Sequence, residues 1–423
     1  MDKCSSDEQV CDYLSSTNNI SNWSLKVALI AAHAAFNARQ DKLLEDILSA
    51  STSRYPESSE LFEIWADFEI FRGNLEEALS YARKAQILTP QSKSAAAIVI
   101  KLQYALYEKE IADQAALMAL KRFPQSSAVL WAVCKNCSSK TQYNHIFNIW
   151  KENVNFIKAL PSAVRPLANA ASRAELFEVA SDLYLEAGII ELIGKGINRP
   201  VKEKSLAGKG GLSVISDISN ALEFAGVPFF LCAGTALGIV RNGQPLDHDS
   251  DIDIGVLEEN WNRDKLIEKI RNNPNFRFDI PHPRNSKIGL IHRNGASIDI
   301  FRFYRENDLL WHDGVFVRWK NSPFSLKFVE INGCKVQIPD PYDQYLTENY
   351  GDWRTPDPNF DAFNGPNTEI TWTEYFEYHR VRQAYKRICL GDLDGAQKEL
   401  SKIDKKIQSL PSGRQLSKII KVL

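Results

Sequence analysis

Over residues 22–192, apolar positions recur at the three-to-four-residue spacing of amphipathic helices, weakening from Tyr143 to Ile189. The pattern then changes. Residues 213–225 make one more amphipathic helix, with Val214, Ile215, Ile218, Leu222 and Phe224 on or near one face and Gly226 as its stop. Beyond it come short strand-like runs. Residues 227–232 are apolar and aromatic, 252–256 and 288–292 read as strands, and 296–304 alternates apolar with polar. After Trp372 the helical pattern returns, with a turn and helix at Gly391–Leu400. The pattern predicts an all-α N-terminal half followed by an α+β domain.

The helical half carries a period. Pro56, Pro90 and Pro124 each close an apolar stretch and stand 34 residues apart. Small residues keep the same offsets: Ala78 and Ala85 before Pro90, Ala112 and Ala119 before Pro124, with Leu44 and Ser51 in the more degenerate first unit. Small side chains let paired helices approach, while Phe62, Trp65, Phe68 and Leu79 fill the space between units, and Gly73 marks a turn. Residues 22–192 therefore resemble a tetratricopeptide-like solenoid, whose concave face commonly docks peptides or partner proteins. The expected organisation is an N-terminal extension (1–21), the solenoid (22–192), a linker (193–212), a catalytic domain (213–380) and C-terminal helices (381–423). The linker contains Gly194, Gly196, Pro200, Lys202, Lys204, Gly208, Gly210 and Gly211, and lacks the spacing of a phosphate-binding P-loop.

Composition narrows the functional classes. With 51 basic and 53 acidic side chains in 423 residues, there is no general attraction to nucleic acid, so anion binding must be local. No apolar run approaches a membrane span and the first residues carry no apolar targeting segment, which predicts a cytoplasmic protein. Seven scattered cysteines read as reduced thiols. Cys134 and Cys137 form a lone C-x-x-C on a helical pattern, without the second pair a zinc ribbon needs. The tail from Ser401 interleaves Lys402, Lys405, Lys406, Arg414, Lys418 and Lys421 with Leu416, Ile419, Ile420 and Leu423, which suits either a solvated terminal helix or peripheral contact with an anionic membrane.

The chemistry concentrates between Cys232 and Asp253. A Gly234-Thr235 turn lets backbone N–H groups and a hydroxyl approach a phosphate. Asp249, Asp251 and Asp253 then alternate, which places them on one side of an extended segment, where a divalent cation would relieve their repulsion. Asp299, between Ile298 and Ile300, brings a further carboxylate from another strand, as a two-metal site for phosphoryl transfer requires. The expected cofactor is Mg²⁺ or Mn²⁺, as two ions, bound by Asp249, Asp251, Asp253 and Asp299. Hard cations prefer oxygen, so His248 reads as a loop residue. Arg241 suits a helix cap, a pair with Asp247 or a phosphate contact. Lys287 and Arg293 bracket a strand, where they read as solvated surface residues rather than phosphate ligands.

The string from Gly234 to Gly243, then Asp249-Ser-Asp-Ile-Asp-Ile, and later Asn349-Tyr-Gly-Asp-Trp353 with Pro356, resembles the LicD/fukutin family of the nucleotidyltransferase superfold over about residues 205–379. That resemblance implies transfer of a substituted phosphate, such as phosphocholine or ribitol phosphate, from a CDP-activated alcohol donor to a hydroxyl of a glycan or lipid-linked glycan. By matching positions, Asp249, Asp251 and Asp253 would hold metal, Asp299 would join them from the neighbouring strand, and Gly234, Thr235 and Arg241 would contact donor phosphates. Asp251, Asp253 and Asp299 are the expected catalytic residues, with Asp251 or Asp299 as the base. Tyr350 and Trp353 suit either an aromatic platform for a cationic donor head or plain packing. The cysteine-rich zinc element of some eukaryotic members is missing, and His248 stands where an aromatic residue is frequent, so the acceptor stays open. Two other readings keep to the same residues: nucleotidyl transfer from an NTP, with pyrophosphate released, or a solenoid scaffold beside an inactive second domain.

Overall fold

The computed structural model describes residues 7, 9–11, 20–38, 40–107, 109–153, 161–195, 210–246, 249, 251–271, 273–278, 286–314, 317–331, 333–357 and 360–422. The linker residues 196–209 therefore lie outside the described residues, as do Asp247, His248 and Leu423. The chain forms two compact units, dividing between Leu183 and Tyr184.

The first unit is all helical. Helices α1 (Leu25–Asn37), α3 (Ser59–Arg72), α5 (Lys93–Leu106) and α7 (Ser127–Cys134) alternate with α2 (Asp41–Arg54), α4 (Leu75–Leu88), α6 (Lys109–Arg122) and α8 (Lys140–Asn153). The successive starts of the first set fall 34 residues apart, in a solenoid-like arrangement of helix pairs. Each of those helices is preceded by a serine in extended conformation: Ser24, Ser58, Ser92 and Ser126. The hydroxyls of Ser24, Ser92 and Ser126 accept the N–H three residues on, satisfying a donor the helix cannot. Gly73 ends α3 in the left-handed region at φ 79°, as its place in the pattern predicts.

The alanine stripe is core at Ala78, Ala85 and Ala112, while Ala119 is half-buried and Ala116 and Leu120 are buried instead. Phe62, Trp65, Phe68 and Leu79 are all buried, and Trp65 stacks on Tyr81 at 5.1 Å. Cys134 and Cys137 are buried free thiols, and burial raises both, Cys137 to about 11. Neutral thiols packed in a helical core are poor metal ligands.

Helices α9 (Pro161–Arg173) and α10 (Phe177–Lys195) follow. The later turns of α10 belong to the second unit: Tyr184 packs against Tyr378 and Tyr385, and Gly188 against Ile388 and Leu416. Those partners sit on α15 (Thr373–Leu390) and α18 (Pro411–Val422), the terminal helices, with α16 (Leu393–Ser401) and α17 (Lys405–Gln408) between. Leu416 and Ile420 of the basic tail are therefore buried within the protein, so that face is not offered to a membrane surface. Among the described residues no helix is long and apolar enough to cross a membrane.

The remainder of the second unit is built on a mixed sheet ordered β1-β2-β5-β6-β7-β10, with β3 and β4 joined to β5 through β4. Its strands are β1 (Phe230–Leu231), β2 (Asp251–Leu257), β3 (Phe276–Phe278), β4 (Lys287–His292), β5 (Ser297–Glu306), β6 (Leu309–Asp313), β7 (Val317–Asn321) and β10 (Thr368–Ile370). Strands β2 and β5 run parallel, pairing Ile252 with Ile298 and Asp253 with Asp299, and β4 pairs antiparallel with β5. A hairpin of β8 (Ser325–Ile331) and β9 (Cys334–Asp340) forms a separate two-stranded sheet.

Strand alternation splits the sheet into two faces. One face, Ile252, Ile254, Val256, Ile298 and Ile300, packs on α11 (Gly211–Phe224), on α13 (Arg263–Arg271) and on the hairpin. Helix α11 contributes Val214, Ile215, Ile218 and Leu222, but Phe224 is 88% exposed. Six residues beyond Ile218, Phe224 falls about 240° further round the helix and points away from the sheet. The opposite face, with Phe230, Phe301 and Phe303, packs on α12 (Ala233–Asn242) and α14 (Tyr342–Tyr350). That second face carries the acidic residues.

Candidate active site

The chain leaves β1 and turns at once into α12. Cys232 donates its N–H to the Asp253 carbonyl at 3.1 Å, and Ala233 takes a left-handed φ of 43°, so the Gly-Thr element forms the first turn of a helix. The first N–H groups of a helix have no intrahelical acceptor. Ala233 donates its own to the phenol oxygen of Tyr345 at 3.0 Å. The N–H groups of Gly234 and Thr235 follow, at the positive end of the helix dipole.

Glycine is required at 234 by close approach. A Cβ there would stand 2.5 Å from Oδ2 of Asp249 and 3.7 Å from Oδ2 of Asp253. Thr235 is placed differently from its expected role at a phosphate: it is 1% exposed, and its Oγ1 accepts the Asp253 N–H at 2.8 Å. It ties the helix to β2 and holds the backbone that aims the Asp253 carboxylate.

Asp251, Asp253 and Asp299 converge, each offering an oxygen within 4.8 Å of the others'. Asp253 and Asp299 face each other in register on parallel neighbours, and Asp251 precedes Asp253 on the same side of β2. Asp249 is not one of the three that meet within 4.8 Å but lies close by, its Oδ2 beside Gly234 at the helix start. The Asp253 carboxyl is held well above the usual carboxylate range, first by burial and then by the negative charges of Asp251, Asp249 and Asp299, with Lys287 acting in the opposite sense. Burial and the carboxylates Asp253 and Asp299 also raise the Cys232 thiol.

Lys287 is part of this site, not of the solvated surface expected for it. Its Nζ forms an ion pair with Oδ2 of Asp299 and lies 5.2 Å from the centroid of the Phe301 ring. A signal was present: with Ile288, Leu290 and His292 buried on one side of β4, Lys287 and Gly289 must face the side that carries Asp299. Arg293 is likewise not a surface residue, being 5% exposed.

The Asn349–Trp353 element closes the site from behind. Trp353 is 7% exposed, packs in the Phe230, Phe303 and Tyr345 cluster, and donates Nε1–H to Asp343 at 3.1 Å. Packing is therefore its role. Arg241, expected at a donor phosphate, donates from Nη1 to the Trp353 carbonyl at 3.2 Å and links α12 to this element. Tyr350 is half-buried, 4.8 Å from the Phe360 ring, and its hydroxyl is raised by burial and then by Tyr345, Asp253 and Asp249. Tyr345, which sequence reasoning missed, carried no signal beyond being one aromatic residue in an amphipathic helix.

Three carboxylates converging on one point, with a fourth close by and a raised carboxyl among them, fit a hard divalent cation. Oxygen-only donors suit Mg²⁺ or Mn²⁺, and bound positive charge removes the like-charge repulsion. Asp251, Asp253 and Asp299 are the residues that would hold it.

The site thus stands on a mixed sheet with carboxylates on two neighbouring strands, close to the N-terminus of α12. Residues 226–340 match the family model described as LicD/FKTN/FKRP, nucleotidyltransferase domain, which agrees with the resemblance read in the sequence over that segment. The chain is also similar to proteins named ribitol-5-phosphate transferase FKTN. Identity is 27% over 178 residues for that of Mus musculus, covering 38% of each chain. For those of Macaca fascicularis and Homo sapiens it is 25% over 174 residues, covering 37% of this chain and 36% of theirs. The chain thus spans less than two fifths of the length of these curated relatives.

Proposed function

We propose that the second unit is a metal-dependent phosphotransferase that moves a substituted phosphate from a CDP-activated alcohol to a glycan hydroxyl, releasing CMP. Relatives named as ribitol-5-phosphate transferases favour a polyol phosphate as the group transferred, with phosphocholine as the other member of the class. The observation that carries the reading is the register pairing of Asp253 with Asp299, with Asp251 beside them and the start of α12 close by.

In this reading Asp251, Asp253 and Asp299 hold the cation, with Asp249 supporting it from the helix start. A bound divalent cation supplies charge neutralisation at the phosphoryl oxygens and a lowered pKa for the attacking hydroxyl. The N–H groups of Gly234 and Thr235 donate to the donor's phosphate oxygens. The acceptor oxygen bonds to the β-phosphorus, the bridging P–O bond to CMP breaks, and the hydroxyl proton passes to a carboxylate. Asp251 and Asp299 are the two carboxylates that suit that last role.

The deciding experiment supplies the full chain with Mg²⁺, a glycan acceptor and, in turn, CDP-ribitol, CDP-choline and each NTP, and measures CMP against pyrophosphate. CMP released with one CDP-alcohol, and phosphate label recovered in the acceptor, is expected. Pyrophosphate from an NTP would replace this reading with nucleotidyl transfer. Release of neither would overturn it.

A further inference from the structure

Lys287 is a cation that acts directly on the acidic cluster. Its ammonium pairs with Asp299 from β4, and it opposes the three negative charges that raise Asp253. Its ammonium also lies 5.2 Å from the ring centroid of Phe301, which stands opposite it in the β4–β5 register, and Gly289, opposite Asp299, puts no side chain between β4 and that carboxylate. The ammonium is therefore held between the Asp299 carboxylate, its ion-pair partner among the described residues, and the face of the Phe301 ring.

A divalent cation chelated by Asp251, Asp253 and Asp299 shares the Asp299 carboxylate with that ammonium. Two positive centres a few ångströms apart repel, and the more weakly held one must leave. A lysine head on a four-carbon stem can swing without moving the backbone. Once the acidic charge is neutralised, a donor diphosphate held at the start of α12 would offer the ammonium a new negative partner.

We propose that Lys287 is an exchangeable counter-ion. It occupies Asp299 in the metal-free protein, is displaced when the cation binds, and then contacts a phosphate oxygen of the donor, so that it opposes metal binding and favours donor binding. The donor half of this proposal rests on the transfer reading above. The metal half needs only the carboxylates.

The test is titration of Mn²⁺ into the full chain without donor, followed by electron paramagnetic resonance or calorimetry, for the wild type, Lys287→Met and Lys287→Arg. Loss of the competing charge in Lys287→Met is expected to tighten Mn²⁺ binding by on the order of tenfold, while Lys287→Arg keeps the competition and binds as the wild type does. CDP-ribitol or CDP-choline titrated into the Mn²⁺-loaded protein is expected to bind Lys287→Met several-fold more weakly. A purely structural ion pair predicts the opposite sign for the metal, because a misplaced Asp299 chelates less well. Unchanged or weaker Mn²⁺ binding in Lys287→Met, with circular dichroism like the wild type's, would overturn the proposal. If the wild type binds Mn²⁺ but no CDP-alcohol, the transfer reading fails and the metal arm still decides the role of Lys287.

Discussion

Asp253 on β2 and Asp299 on β5 stand directly opposite each other on parallel strands, so two carboxylates separated by 46 positions share one site. Asp253→Asn or Asp299→Asn is expected to lower transfer by on the order of 10²–10³-fold. Asp249→Asn, outside the converging trio, should cost roughly tenfold. Initial CMP release under saturating Mg²⁺ measures both. Equal losses at all three positions would show that Asp249 is a full ligand.

The Thr235 hydroxyl satisfies the Asp253 N–H inside the protein. Thr235→Val leaves that donor buried without a partner and should destabilise the fold by about 1–3 kcal/mol, with loss of transfer. Thr235→Ser keeps the acceptor and should restore most of both. Urea titrations of the two variants, run beside the transfer assay, make the comparison.

Tyr345 accepts the Ala233 N–H from below the helix start and is 2% exposed. Tyr345→Phe preserves the ring in its cluster and removes only the acceptor, at about 1 kcal/mol of stability. Because Ala233 precedes Gly234, the effect should appear as weaker donor binding with a smaller change in the rate at saturation. A rise confined to the acceptor KM would count against this positioning role.

Gly255 pairs with Phe230 across β1 and β2, and a Cβ at 255 would clash with Cζ and both Cε atoms of the Phe230 ring. Gly255→Ala should therefore overpack the site face by about 1–3 kcal/mol. Gly243→Ala meets nothing within 4 Å, so its effect comes only from the φ of 69° and should leave core packing unchanged. Differential scanning calorimetry of the pair separates the two causes.

His312 is stacked between Phe303 at 4.4 Å and Trp319 at 5.1 Å, and burial pushes its pKa down to about 3. A histidine neutral in the fold but protonated when unfolded contributes stability that is complete above about pH 6.5 and is lost as pH falls toward 3. The slope is at most about 1.4 kcal/mol per pH unit. His312→Phe should remove this part of the acid sensitivity. Urea stability at pH 7 and pH 4.5 is expected to fall further in the wild type than in the variant.

Much of this was legible in the chain. The 34-residue proline period marked helix pairs whose starts keep that spacing, and a serine at each of four cap positions repeats it again, because a cap needs a short oxygen-bearing side chain wherever a helix begins. The alternation around Asp251, Asp253 and Asp299 placed them on strand faces, since the side-chain period of a strand is two regardless of its partners.

Which residues meet across those faces was decided elsewhere. That Lys287 reaches Asp299, that Tyr345 lies under Ala233 and that Arg241 holds the Trp353 carbonyl depend on strand register and on helices brought together over 112 positions in the latter two cases. Asp249 shares the alternation of its neighbours but precedes the strand, which begins at Asp251, and its carboxylate lies against Gly234 instead of meeting the other three. Local periodicity reports which way a side chain points. Its partner is chosen by long-range pairing, where burial of the two sheet faces selects one register among those the same pattern allows.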